Sequence, residues 1–151
     1  MNVRRDRPCI AVVDDDGSVR EAIAGLLKSA GFSAETFATA EEFLRSRRAK
    51  RAASMIVDVH LPGMSGLELQ RHLSARGRDI PSVVISAHAD SAGELRTQAL
   101  AAGALAMLPK PFGDEDLLEA VRSALRKRGE RLQAGDRSEA SSSGTRKGGK
   151  N

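Results

Sequence analysis

Residues 9–27 read CIAVVDDDGSVREAIAGLL. Five apolar residues, Cys9 to Val13, run straight into three carboxylates, Asp14, Asp15 and Asp16. The apolar pattern then changes period: Val19, Ala22, Ile23, Leu26 and Leu27 share one helical face, closed by Gly31. An unbroken apolar run of this length suits a strand covered on both faces, and 3.6-residue spacing suits an amphipathic helix. The three acids at the junction need explaining, because two negative charges about 4 Å apart repel by roughly 4 kcal/mol at an effective dielectric near 20. Such a cluster requires a nearby cation, a helix terminus, or both.

The strand-to-helix unit recurs four more times. FSAETF (32–37) is a modest strand, and Thr39-x-x-Glu42 is a capping box that opens a helix through Phe43 and Leu44. SMIVDV (54–59) is followed by a second box, Ser65-x-x-Glu68, and a helix carrying Leu67, Leu69 and Leu73 that ends near Gly77. SVVIS (82–86) precedes Ser91-x-x-Glu94, Leu95, Ala99 and Gly103. ALAML (104–108) precedes a helix starting at Asp114, with Leu117, Leu118, Val121 and Leu125 facing inward. Five βα units linked by right-handed crossovers give a parallel sheet with helices on both faces. The expected fold is therefore α/β: a doubly wound five-stranded parallel sheet, flavodoxin-like, in the order 2-1-3-4-5.

Composition narrows the class. The 151 residues are 40% hydrophobic but include four Phe and no Tyr or Trp, so the core is aliphatic. Cys9 is the one cysteine, which excludes an internal disulfide, suits a reducing cytoplasm and reads as packing. No run is long and apolar enough for a membrane span, and the opening MNVRRDRP does not lead into a signal peptide. The formal charge of +4 is uneven: residues 1–127 hold 18 Lys/Arg against 17 Asp/Glu, and 128–151 hold six against three. Three segments follow: an N-terminal extension (1–8), one domain (9–127) and a basic Gly/Ser-rich tail (128–151). The tail has too little apolar surface to order itself and cannot form a helix-turn-helix, so DNA binding by this chain is not expected.

In open α/β sheets, ligands bind beyond the carboxyl ends of the strands. Four strands end here in chemistry: Asp14, Asp15 and Asp16 after the first, Asp58 on the third, Ser86 on the fourth and Lys110 after the fifth. With strands one and three adjacent, their acids stand about 5 Å apart. Oxygen ligands gathered that closely suit Mg²⁺, which takes one or two protein carboxylates and keeps several waters. That accounts for two of the three opening acids, and Asp16 reads as the N-cap of the first helix. Asp58 is the candidate nucleophile toward phosphorus, with Ser86 donating a hydrogen bond to one phosphoryl oxygen and Lys110 pairing with another. Taken singly, Ser86 is a strand-end hydroxyl and Lys110 a surface lysine; their shared layer with Asp58 gives them weight.

With VVDDD, IVDVHLPGMSGLEL, VVISAHAD and GALAMLPKPF in order, residues 8–127 closely resemble the response-regulator receiver domains of two-component signalling. The resemblance implies that Asp58 is the phospho-acceptor and that Asp14 and Asp15 hold Mg²⁺ together with Asp58 and the backbone carbonyl of His60. It places Ser86 at the switch Thr/Ser position, Lys110 at the family lysine, and a cis peptide at Lys110–Pro111. Met107 stands where an aromatic switch residue is usual, which puts coupling to the output face in question. His60 and His88 fall at positions that tune hydrolysis of the phosphoryl group. The implied donor is a sensor histidine kinase or His phosphotransfer protein. The implied output face is the fourth helix, fifth strand and fifth helix, with room for a phosphorylation-dependent homodimer. Such a chain is a cytoplasmic switch rather than an enzyme, catalysing its own phosphorylation and dephosphorylation. Without an output domain in 128–151, it is expected to act as a stand-alone receiver.

One other class fits the opening motif. Asp-x-Asp-Gly-Ser at 14–18 is similar to the first motif of haloacid-dehalogenase-type phosphatases, with Asp14 as nucleophile and Asp16 as acid. That reading leaves Asp58 without a role and lacks an acidic pair after Lys110, since FGDEDLL (112–118) opens a helix.

Overall fold

The computed structural model describes residues 7–87 and 92–130. His88, Ser91 and most of the expected tail lie outside those residues. Five strands, β1 (Cys9–Val13), β2 (Ser33–Phe37), β3 (Ala52–Asp58), β4 (Ser82–Ser86) and β5 (Ala104–Pro109), alternate with helices α1 (Gly17–Ser29), α2 (Ala40–Arg45), α3 (Gly66–Ala75), α4 (Ala92–Ala101) and α5 (114–130). All strand pairs are parallel, in the order β2-β1-β3-β4-β5. This is the doubly wound sheet expected from the alternation of periods. Helix α5 runs through residue 130, three residues past the domain boundary expected from composition.

Period-2 alternation divides the apolar strands between two cores. Ile10, Val12, Ile56, Val83 and Ile85 face α1 and α5, where they meet Ile23, Leu27, Leu117 and Val121. Ala11, Val13, Met55, Val57 and Val84 face α2, α3 and α4, against Phe43, Leu69, Leu73 and Ala99. Burying one such Leu, Ile or Val contributes about 1.5–3 kcal/mol. The central strand β3 is buried along its whole length, so its sequence is continuously apolar until Asp58. The edge strand β2 is mostly half-exposed, which explains its weaker signal in SAETF.

The helix starts follow the capping logic with one refinement. Ser65 and Glu68 form a full reciprocal box at the start of α3. At α2, Thr39 accepts the Glu42 N–H at 3.0 Å, but the Glu42 carboxylate takes the N–H of Ala38 instead of that of Thr39. Helix α2 is only six residues and gives way to a 3-10 turn, Arg48–Arg51, before β3. The 3-10 turn makes β3 begin at Ala52, two residues earlier than its apolar run alone suggests, and Asp58 is its last residue. Among the described residues, no helix is long and apolar enough to cross a membrane.

Candidate functional site

Parallel pairing sets the depth of each functional side chain. Val13 pairs with Val57, so Asp14 and Asp58 leave adjacent strands at the same level. Asp58 pairs with Ile85 and Ser86 with Pro109, which brings Ser86 and Lys110 to the same edge. One carboxylate oxygen each from Asp14, Asp15 and Asp58 lies within 4.8 Å of the others. Asp14 and Asp58 are buried, and Asp15 is exposed.

The three opening acids divide as their positions suggested. Asp16 is the N-cap of α1: its Oδ1 accepts the Ser18 hydroxyl at 2.7 Å and the Ser18 and Val19 N–H groups at 3.0 and 3.4 Å. The Ser18 hydroxyl, then these backbone donors, hold the Asp16 carboxyl below its ordinary range. That engagement ties Asp16 to the start of α1, whereas the carboxylates that come together are those of Asp14, Asp15 and Asp58.

The compensating cation is Lys110, whose ammonium sits 3.0 Å from Asp58 Oδ2 and 3.3 Å from Asp14 Oδ2. Burial acts to lower its pKa, but the hydrogen bond and charge of Asp58, with those of Asp14, outweigh it and raise the pKa above the ordinary value. Asp58 Oδ1 accepts the His60 N–H at 3.0 Å, so both oxygens of the candidate nucleophile are oriented. Asp14 Oδ1 accepts the Asp16 N–H at 2.9 Å. Burial and the charge of Asp58 nevertheless push the Asp14 carboxyl up, against the pull of that N–H and of Lys110. One ammonium faces three carboxylates, so a negative excess persists at a hard-oxygen donor set. That composition fits Mg²⁺.

Ser86 is buried at the end of β4, and its carbonyl accepts the Lys110 N–H at 2.7 Å. The Lys110–Pro111 peptide is cis, as expected. Met107 is buried in β5 beside Val84, within the core under α2, α3 and α4. His60 is exposed on the loop after β3, and His88 lies outside the described residues.

Four contributors were not singled out from sequence. The Arg20 guanidinium donates to the Asp14 carbonyl at 2.6 Å, tying α1 across the acidic turn; a cation one turn into the helix after the acids was its only signal. Glu41 Oε2 accepts the Met64 N–H at 2.9 Å and so holds the loop that follows Asp58. That loop turns at Gly63, whose φ of +73° disfavours other residues. Gly66, the first residue of α3, lies so close to β3 that an added Cβ would collide with the Asp58 carbonyl oxygen.

The model of the response regulator receiver domain matches residues 10–122, and the chain belongs to that family. Response regulator protein TodT of Pseudomonas putida is 41% identical over 117 residues, which make up 78% of this chain and 51% of TodT. Transcriptional regulatory protein FixJ of Azorhizobium caulinodans is 38% identical over 116 residues, 77% of this chain and 54% of FixJ. The solved structure of response regulator StyR matches with a TM-score of 0.78 at 45% identity, covering 89% of this chain and 67% of that one. The FixJ-N crystal structure matches with a TM-score of 0.72 at 34% identity, covering 79% and 94%. The chain spans about half the length of the curated relatives it matches. A flavodoxin-like receiver of the two-component type is thus the class to which fold and site belong.

Proposed function

We propose that Asp58 accepts a phosphoryl group from the phosphohistidine of a sensor histidine kinase or His phosphotransfer protein. One observation carries this reading: the Asp58 carboxylate stands within 4.8 Å of those of Asp14 and Asp15 on one side and 3.0 Å from the Lys110 ammonium on the other. An Asp58 oxygen attacks phosphorus, the P–N bond to the donor imidazole breaks, and its electron pair leaves with the imidazole nitrogen, which takes a proton. Asp14, Asp15, Asp58 and the His60 carbonyl would hold Mg²⁺, which when bound offsets the repulsion between carboxylate and phosphoryl group. The His60 N–H orients the nucleophile. Lys110 can transfer its pairing from Asp58 Oδ2 to a phosphoryl oxygen, and the Ser86 hydroxyl is suited to a second.

The chain itself catalyses both this transfer and the later hydrolysis, and His60 and His88 set the lifetime of the phosphorylated state. Ser86 carries that state toward the α4–β5–α5 face, where a downstream protein or a second copy docks, and Met107 takes the place of the usual aromatic switch residue. The reading rests on residues 9–127 and holds with or without a following output domain. It places the chain in the cytoplasm, where its lone cysteine stays reduced.

Acetyl phosphate with Mg²⁺, followed by intact-mass measurement, tests it. A single phosphoryl adduct is expected on the parent and none on Asp58→Asn. An adduct that survives in Asp58→Asn, or no adduct on the parent, would overturn the assignment.

A further inference from the structure

The pole opposite the carboxylates has its own chemistry. Residues 7–130 hold 17 Lys/Arg and 17 Asp/Glu, so this stretch is neutral overall. Its charges are nonetheless segregated. RSRRAKR (45–51) leads into the start of β3 and RKR (126–128) lies near the end of α5. At that pole the structure has a cleft of about 820 Å³, lined in part by Arg7, Arg48, Arg51 and Arg128, with Glu35 and Cys9 among the other walls. The four guanidinium groups come from three separate segments of the chain. Arg48 is paired with Glu35 at 3.2 Å. Arg7, Arg51 and Arg128 have no carboxylate in salt-bridge reach among the described residues.

We propose that this cleft is a binding site for a compact anion bearing two or more linked phosphates, either a free phosphate chain or that of a nucleotide. Its volume is that of a small-molecule site. Guanidinium forks match phosphate oxygens two at a time, which a point-charge ammonium does not. Two phosphate groups carry roughly three to four charges, the number that three uncompensated arginines answer. A concavity with an acid in its wall suits a compact ligand better than the rod of a duplex. The chain beyond 130 is no rival occupant, because 131–151 hold five basic residues against two acidic ones. Cys9 to Val13 separates the cleft from the carboxylate cluster by about 15 Å of strand, so the two sites do not overlap.

Titration calorimetry of the full chain with sodium pyrophosphate, in EDTA and 150 mM salt, tests the proposal. Saturable binding of one equivalent is expected, weakened at least ten-fold by Arg51→Glu or Arg128→Glu. Arg71→Glu, an equal charge change on exposed α3, should leave it unchanged. Thermal melts and acetyl-phosphate labelling of each variant verify that the fold and Asp58 are intact. Tighter binding of ATP than of pyrophosphate assigns the source as a nucleotide; equal binding assigns a phosphate chain alone. Absence of saturable binding, equal weakening in Arg71→Glu, or capture of duplex DNA without pyrophosphate binding would each refute it.

Discussion

Asp14→Asn should make the metal-free protein more stable, although it removes a buried carboxylate that touches a lysine. Charge repulsion at the strand ends suggests that deleting any one acid relieves strain, with Asp58 the obvious choice. The geometry puts the larger gain at Asp14. Lys110 is nearer to Asp58, at 3.0 Å, than to Asp14, at 3.3 Å. At an effective dielectric near 20, the Lys110–Asp14 attraction at 3.3 Å is about 5 kcal/mol, and the Asp14–Asp58 repulsion, across no more than 4.8 Å, is at least about 3.5 kcal/mol. Exposed Asp15 adds roughly 1 to 3.5 kcal/mol more, depending on how well water screens it. The pair energies therefore nearly cancel, and the burial of a fully enclosed charge decides the sign.

The direction of the Asp14 pKa agrees. Burial first, and then the charge of Asp58, raises it in the folded state. The folded protein thus binds more protons here than the unfolded chain, and stability from this group falls as pH rises from the unfolded value through the folded one. The full penalty is in force once the pH is above the folded value. Asn keeps the acceptor for the Asp16 N–H and sheds the charge, while Lys110 retains Asp58 as partner. We expect a gain of about 1 kcal/mol in EDTA, a rise in Tm of roughly 3–5 °C for a domain of this size. Parent protein at a hundredfold excess of Mg²⁺ over its Kd gains about 2.7 kcal/mol, and the variant should gain much less. The order of melting temperatures then inverts between EDTA and Mg²⁺. Equal or lower melting of Asp14→Asn in EDTA would refute the reasoning.

Gly66→Ala drives a methyl group into the Asp58 carbonyl, so we expect a loss of about 2 kcal/mol in urea denaturation, together with slower acetyl-phosphate labelling of Asp58. Unchanged stability and labelling would show that α3 can retreat from β3 without cost. Acid should also loosen the fold: Asp16 is held below its ordinary pKa by the Ser18 hydroxyl, Glu41 by the Met64 N–H and Glu68 by the Ser65 N–H. Depressed carboxyls contribute stability above their unfolded pKa, near 4, and lose it as pH falls through their folded values. Tm should accordingly drop below about pH 4.5, and less steeply in Asp16→Asn/Glu41→Gln/Glu68→Gln; parallel curves for parent and variant would contradict these contacts.

Some of this was legible in one dimension because it depends on local or periodic physics. Runs such as CIAVV and MIV, set against helical spacing at 19–27, determine a buried parallel sheet, since few other arrangements bury both faces of a strand. Asp16 and Ser65 declare their caps within three residues of chain. The gathering of Asp14, Asp15, Asp58, Ser86 and Lys110 also follows, once each ends a strand of a sheet whose order is known. Other features depended on contacts between segments far apart in the chain. That Lys110 lies closer to Asp58 than to Asp14, and so shifts the strain to Asp14, is settled by distances of tenths of an ångström. Glu41 reaching Met64 and Gly66 seated against β3 join separate elements through unremarkable residue types. The arginine-lined cleft needs the start of β1, the 3-10 turn and the end of α5 side by side. Periodicity specifies which face of an element is buried, whereas the position of one charge relative to another depends on how the elements pack.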